Sequence, residues 1–287
     1  MLMTEKFNPI VVFGEVLFDC FPDGQKILGG APFNVAWHLQ AFGASPLFIS
    51  CIGSDESGQE IINAMQSWGM DCSAMQIDAA HETGQVQVTF NDNEPEYEIV
   101  QNCAWDFIEA EQLPDLIDGS LLYYGSLAFR NALNRQCLSV FQTAALRFMD
   151  VNLRPPWWTI DTVRPLIEQA DWIKLNTEEM RSLQTEISHQ QSNILLTKGS
   201  AGADMFVQGA DIFSVNPKES QESQEIVDTV GAGDAFASII LLGIYREWPK
   251  TIMMKRAQQF ASAICSNRGA INRNRDFYEV FIEEWKN

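Results

Sequence analysis

Short unbroken apolar runs recur along this chain, and most are followed by a segment with helical spacing. Ile10-Val11-Val12-Phe13 reads as a buried strand that continues through Gly14 to Asp19. Pro32 fits the first turn of a helix whose apolar face carries Val35, Leu39 and Phe42, with Gly43 at its end. Leu47 to Ile52 is the next strand, and Ile61, Ile62, Met65 and Trp68 mark the next helix, stopped by Gly69. Further strands are expected at 121–124, 148–151, 172–175 and 194–197, with helices between them at 131–146, 160–169 and 177–184. Shorter strands near 203–207 and 211–215 precede helices near 232–246 and 251–266. This alternation specifies an α/β fold, a mostly parallel central sheet flanked by helices. There is no repeat or long linker, and 287 residues suit one domain spanning 1–287.

Residues 83–100 break the rhythm. Gly84 to Phe90 alternates polar and apolar, Asn91-Asp92-Asn93-Glu94 can turn the chain, and Tyr97 to Val100 can return it. Such a hairpin is either a lid over a site or a surface decoration. As a lid, it would comprise residues 83–101 together with 15–28.

The formal net charge of −19 argues against binding a nucleic-acid backbone or an anionic membrane surface. Cys20, Cys51, Cys72, Cys103, Cys137 and Cys265 form no C-x-x-C pair, so they read as reduced thiols of a cytoplasmic protein. No signal peptide or membrane span is evident.

The chemistry gathers where parallel strands end, which is where open α/β sheets bind ligands. Those ends carry Asp19, Asn152-Leu153-Arg154, Asn176-Thr177-Glu178-Glu179 and Lys198-Gly199-Ser200-Ala201-Gly202. Near the C-terminus, Gly231-Ala232-Gly233-Asp234 opens an apolar helix. A small-residue turn there leaves N–H groups unpaired at the positive end of a helix dipole, a place suited to phosphate. By itself the turn reads equally well as a helix start capped by Asp234. Taken together, the groups are the parts of a phosphoryl-transfer site: an anion-binding turn, a carboxylate, an acidic cluster for hydrated Mg²⁺ and a basic side chain.

Asp228 to Phe236 resembles the C-terminal signature of the ribokinase-like, or phosphofructokinase-B type, sugar kinases. Gly29-Gly30-Ala31-Pro32-Phe33-Asn34-Val35-Ala36 is similar to their N-terminal signature, and Asn176-Thr177-Glu178-Glu179 matches their N-x-x-E element. With Asp150-x-Asn152-x-Arg154-Pro155-Pro156-Trp157, the chain looks most like the bacterial fructokinases of that family.

The resemblance implies ATP-dependent phosphorylation of a free sugar, fructose before others, with a small β lid over the site. Asp234 would accept the proton of the attacking hydroxyl, and Gly231, Ala232 and Gly233 would form the anion hole. Asp19, Gly29, Gly30 and Asn34 would bind the sugar, with Arg154 beside sugar and phosphate. Asn176 and Glu179 would position Mg²⁺, largely through water. Asn176, Thr197, Gly199, Gly202 and Asn267 would border the nucleotide. Asp228, Val230 and Gly269 would lie by the monovalent-cation (K⁺) site many members have. Lid edges in this family can pair between subunits, which makes a homodimer an expectation.

Ala31 stands where ribokinase-type signatures often carry a lysine, and no basic residue of this segment would clamp a phosphosugar. A keto-sugar acid such as 2-keto-3-deoxygluconate, ribose or a nucleoside is the alternative acceptor, and a non-catalytic sugar-binding protein the non-enzyme alternative. Phe236 replaces the third glycine of G-x-G-x-x-G, against a dinucleotide fold, and no G-x-x-x-x-G-K-[ST] is present.

Overall fold

Apolar runs at both faces of each strand drive the architecture. In the computed structural model, which describes residues 9–91, 94–187, 192–216 and 226–286, the strands and helices follow in chain order. They are β1 (Ile10–Phe13), β2 (Leu17–Cys20), β3 (Lys26–Gly29), α1 (Ala31–Ala41), β4 (Leu47–Gly53), α2 (Glu56–Trp68) and β5 (Met75–Asp78). Next come β6 (Gly84–Asn91), β7 (Glu94–Ile99), β8 (Leu121–Gly125), α3 (Leu138–Phe141), β9 (Leu146–Asp150), α4 (Ile160–Gln169), β10 (Trp172–Asn176) and α5 (Thr177–Ser182). The chain ends with β11 (Asn193–Thr197), β12 (Ala203–Phe206), β13 (Phe213–Val215), α6 (Ala232–Tyr245), α7 (Lys250–Ile264) and α8 (Arg275–Glu284). The centre of the expected hairpin turn, 92–93, and the first eight residues lie outside the described part.

The main sheet has nine strands in the order β13-β12-β11-β10-β9-β8-β1-β4-β5. Every pair from β11 to β5 is parallel, and β12 and β13 add an antiparallel edge. The α/β reading therefore holds. Alternation along β1 builds both cores: Ile10 and Val12 join one layer, Val11 and Phe13 the other. Helix α6 is buried from Ala235 to Ile244, which explains why its sequence is apolar all round. Among the described residues no helix is long and apolar enough to cross a membrane.

From β1 the chain winds outward through β4 and β5, then returns and winds the other way through β8 to β11. The boundary between β1 and β8 is thus the topological switch point, the crevice where such sheets take their ligands.

The first strand is shorter than its sequence suggests. Gly14 has a φ of 149°, and a Cβ there would run into the Pro32 ring. The chain leaves the main sheet at this point, and β2 enters a second sheet ordered β3-β2-β6-β7. The helix expected at 131–146 is also broken into a 3-10 turn at Asn134–Cys137 and the short α3. Buried Asn134 bonds instead to other segments: Nδ2 donates to the carbonyls of Trp105 (2.8 Å) and Ala128 (2.7 Å), and Oδ1 accepts from the Ile108 N–H at 2.8 Å.

Asp55 ties the second sheet to the main body. Its carboxylate caps α2 through the Gly58 N–H and accepts from the N–H and hydroxyl of Thr83, each at 2.7 Å. Burial alone would raise this carboxyl, but the bonds from Thr83 and Gly58 hold it below its ordinary value. Asp55→Ala should cost about 1–2 kcal/mol in a denaturant melt at pH 7. A depressed pKa stabilises above the unfolded value, so the difference should shrink as acid protonates Asp55 in the parent.

Candidate active site

Helix α6 begins beside this crevice. Gly231 is its N-cap in the left-handed region (φ 79°), and a Cβ there would come within 2.5 Å of the Ala270 Cα. Only glycine fits such a backbone without strain. The N–H groups of Gly233 and Asp234 have no hydrogen-bond partner among the described residues. They are unpaired donors at the positive end of a buried helix.

Asn34, in the first turn of α1, donates from Nδ2 to Oδ2 of Asp234 at 2.8 Å. These two residues lie 200 positions apart and meet where α1 and α6 pack. Burial pushes the Asp234 carboxyl up to about 6, against the pull of Asn34 and Lys174. Buried Asn34 Oδ1 has no partner among the described residues.

Asp19 lies on β2, and its Oδ2 is 3.8 Å from where a Gly29 Cβ would stand. Burial raises its carboxyl to about 6. Gly30 is the N-cap of α1. Arg154 follows the end of β9; its side chain is exposed, donates to the Leu153 carbonyl at 3.1 Å and feels the charges of Glu15 and Asp234.

Asn176 and Thr197 are paired in register at the ends of β10 and β11. Asn176 caps α5 by accepting the N–H groups of Glu178 and Glu179, while Glu179 accepts the N–H groups of Asn176 and Leu153, each at 2.8 Å. Each Glu179 oxygen retains a second lone pair. Such oxygen-only donors fit a hydrated, hard cation like Mg²⁺ better than a soft metal. Among the described residues no cluster of three or more His, Cys, Asp or Glu forms a protein-only metal cage.

Gly199 and Gly202 bound a tight turn closed by the Lys198 N–H donating to the Gly202 carbonyl at 2.7 Å. The Asn267 amide donates to the Ala263 carbonyl and accepts from Asn272. Asp228 accepts the N–H of Val230 through one oxygen (3.0 Å) and that of Gly269 through the other (3.1 Å). These three residues are thus brought together. No hydrogen bond among the described residues joins Asn267 or Thr197 to the α6 turn.

Four side chains escaped the sequence reading. Glu15, 2% exposed, leaves β1 at the switch point; burial pushes its carboxyl up to about 7, and its Oε2 has no partner among the described residues. Asp150 and Lys174 form a buried ion pair at 2.7 Å, and the Tyr123 hydroxyl donates to Asp150 at 3.2 Å. A charge inside an apolar strand run was the available signal, since it must be paired when buried.

The sequence profile described as "pfkB family carbohydrate kinase" matches residues 10–276. Rice Fructokinase-2 (Oryza sativa subsp. japonica) is 29% identical, over 92% of this chain and 90% of its own length. A fructokinase of Klebsiella pneumoniae is 28% identical, over 82% of this chain and 84% of its own length. The crystal structure of a fructokinase with bound ATP from Xylella fastidiosa shares the fold with a TM-score of 0.83, at 19% identity and covering 98% and 99% of the two chains.

Proposed function

The chain belongs to the pfkB family of carbohydrate kinases, and we propose that it transfers the γ-phosphoryl group of ATP to a hydroxyl of free fructose. The observation that carries this reading is the Asn34–Asp234 bond at the switch point, which joins the two signature segments beside the unpaired amides of α6. The names of the curated relatives support fructose as acceptor.

In this reading Asp19, Gly29, Gly30 and Asn34 hold the sugar, and Asp234 orients the attacking hydroxyl. As the new O–P bond forms and the bond to ADP breaks, the hydroxyl proton passes to Asp234. The transition state is loose, with charge spread over the phosphoryl oxygens. The Gly231–Ala232–Gly233 turn meets that charge with amides that need not reorganise, assisted by Arg154. Asn176 and Glu179 hold Mg²⁺ through water, and the ion neutralises phosphate charge when bound. Thr197, Gly199, Gly202 and Asn267 border the nucleotide, and Asp228, Val230 and Gly269 frame a monovalent-cation site for K⁺. The second sheet closes as a lid and excludes water. Its outer strands β3 and β7 offer edges through which two copies pair. The six free thiols suit a cytoplasmic enzyme.

A coupled ADP-release assay across fructose, ribose, 2-keto-3-deoxygluconate and nucleosides tests the reading. Fastest turnover on fructose is the expected result; no turnover on any acceptor would refute it. An acid limb should appear as well. With Asp234 raised to about 6, kcat/KM should fall about tenfold per pH unit below that point as the base is protonated. A profile flat down to pH 5 would remove Asp234 as the base.

A further inference from the structure

One buried cation lies directly behind the glycine turn. Lys174 projects from β10 and is 6% exposed. Its Nζ lies 3.4 Å from the point a Cβ on Gly233 would occupy, so the absence of a side chain there lets the ammonium approach the turn. Asp150, at the end of β9, holds Nζ at 2.7 Å, and the Tyr123 hydroxyl from β8 braces that carboxylate at 3.2 Å. Three adjacent strands thus fix one ammonium in one place. Burial works to neutralise Lys174, but the charges of Asp150, Asp234 and Glu179 prevail and raise it above its ordinary value.

A buried ion pair is a poor device for stability alone, because desolvation offsets most of its attraction. Apolar residues would fill the same strand positions at least as well. What the pair supplies is a positive charge that does not move, in a region of low dielectric, behind the turn that meets the transferring group. Arg154, by contrast, is exposed and follows the strand rather than lying in it.

We propose that Lys174, clamped by Asp150 and Tyr123, is a positioning residue of phosphoryl transfer whose fixed ammonium strengthens the anion-binding turn Gly231–Gly233. The inference rests on the kinase reading. It concerns charge that develops in the transition state, so it predicts a loss in kcat rather than in substrate affinity.

The test compares the parent with Lys174→Met, Lys174→Arg and the neutral pair Lys174→Met/Asp150→Leu. For each, kcat and KM are measured with ATP and fructose, and melting curves report folding. Calorimetry then measures ADP alone and ADP with aluminium fluoride and fructose, a mimic of the planar phosphoryl group. Lys174→Met should lose about 100-fold in kcat, with KM for fructose changed less than threefold. Affinity for the aluminium fluoride complex should fall by a similar factor and that for ADP far less. Lys174→Arg should recover at least tenfold of the lost kcat. The neutral pair removes the orphaned carboxylate, so it should melt near the parent yet stay slow. A neutral pair that keeps kcat within threefold of the parent overturns the proposal, as does equal weakening of both complexes. The parent's own turnover tests the kinase reading; the ratio of variant to parent tests Lys174.

Discussion

Asp234→Asn should cost about a thousandfold or more in turnover while making the protein harder to melt at pH 8. The two effects have one cause. A positioned general base contributes about 10²–10⁴-fold, and asparagine cannot take the proton. Asparagine keeps the shape and can still meet Asn34, so substrate binding should survive. The parent, however, carries a carboxyl that burial has pushed to about 6 from an ordinary value near 3.8. A raised carboxyl favours the fold fully only below its unfolded value, and that contribution is lost as pH rises through 6. At pH 8 the parent therefore bears an ionised group that it holds at a cost on the order of 3 kcal/mol. Asparagine bears none. The variant should melt several degrees higher above pH 7, with the gap closing towards pH 4. The ADP-release assay and melting curves at both pH values read the two halves. Undiminished turnover would remove Asp234 from the mechanism, and a lower melting point at pH 8 would mean its carboxylate is a structural anchor.

The sequence disclosed the layout better than the local geometry. Parallel-sheet rhythm is written in runs of four to seven apolar residues, and the structure builds the central sheet from them. The Gly-Gly-Ala-Pro and Gly-Ala-Gly-Asp segments were legible because helix starts with missing side chains have few other uses. The exit at Gly14 was hidden, since Val16-Leu17-Phe18 continues the same apolar pattern into a different sheet. Asn134 was hidden because a helix-neutral residue gives no sign that its amide will bond three distant segments. Strand β5, one-sided and ending the sheet, carries too short a pattern to read. Helix α8 was available: Asn274 caps it, and Tyr278 and Phe281 face the core. In the site, side chains that project from loops and helix starts could be named. Glu15, Asp150 and Lys174 could not, because their meaning depends on which strands lie side by side.

Gly231→Ala should damage both stability and rate, and a second substitution can separate the two. The left-handed backbone at φ 79° costs a non-glycine residue about 1–2 kcal/mol. The new methyl also meets Ala270, whose Cα lies only 2.5 Å from the Cβ position, adding about 1–3 kcal/mol of overpacking. Ala270 cannot yield easily, because the N–H of the preceding Gly269 is held by Asp228, which also holds Val230 on the other side of the turn. The strain must therefore be taken up by the turn, and the amides of Ala232, Gly233 and Asp234 re-aim. Misdirecting such donors costs about 10²–10³-fold in kcat. Gly231→Ala/Ala270→Gly removes the collision but keeps the strained backbone. It should regain most of the lost melting temperature, and recover kcat to the extent that the collision, rather than φ, displaced the amides. Steady-state kinetics and thermal melts on the pair measure this directly. A single variant that melts lower yet keeps parental kcat would show that the turn's amides take no part in transfer, and the anion-hole assignment would fall with it.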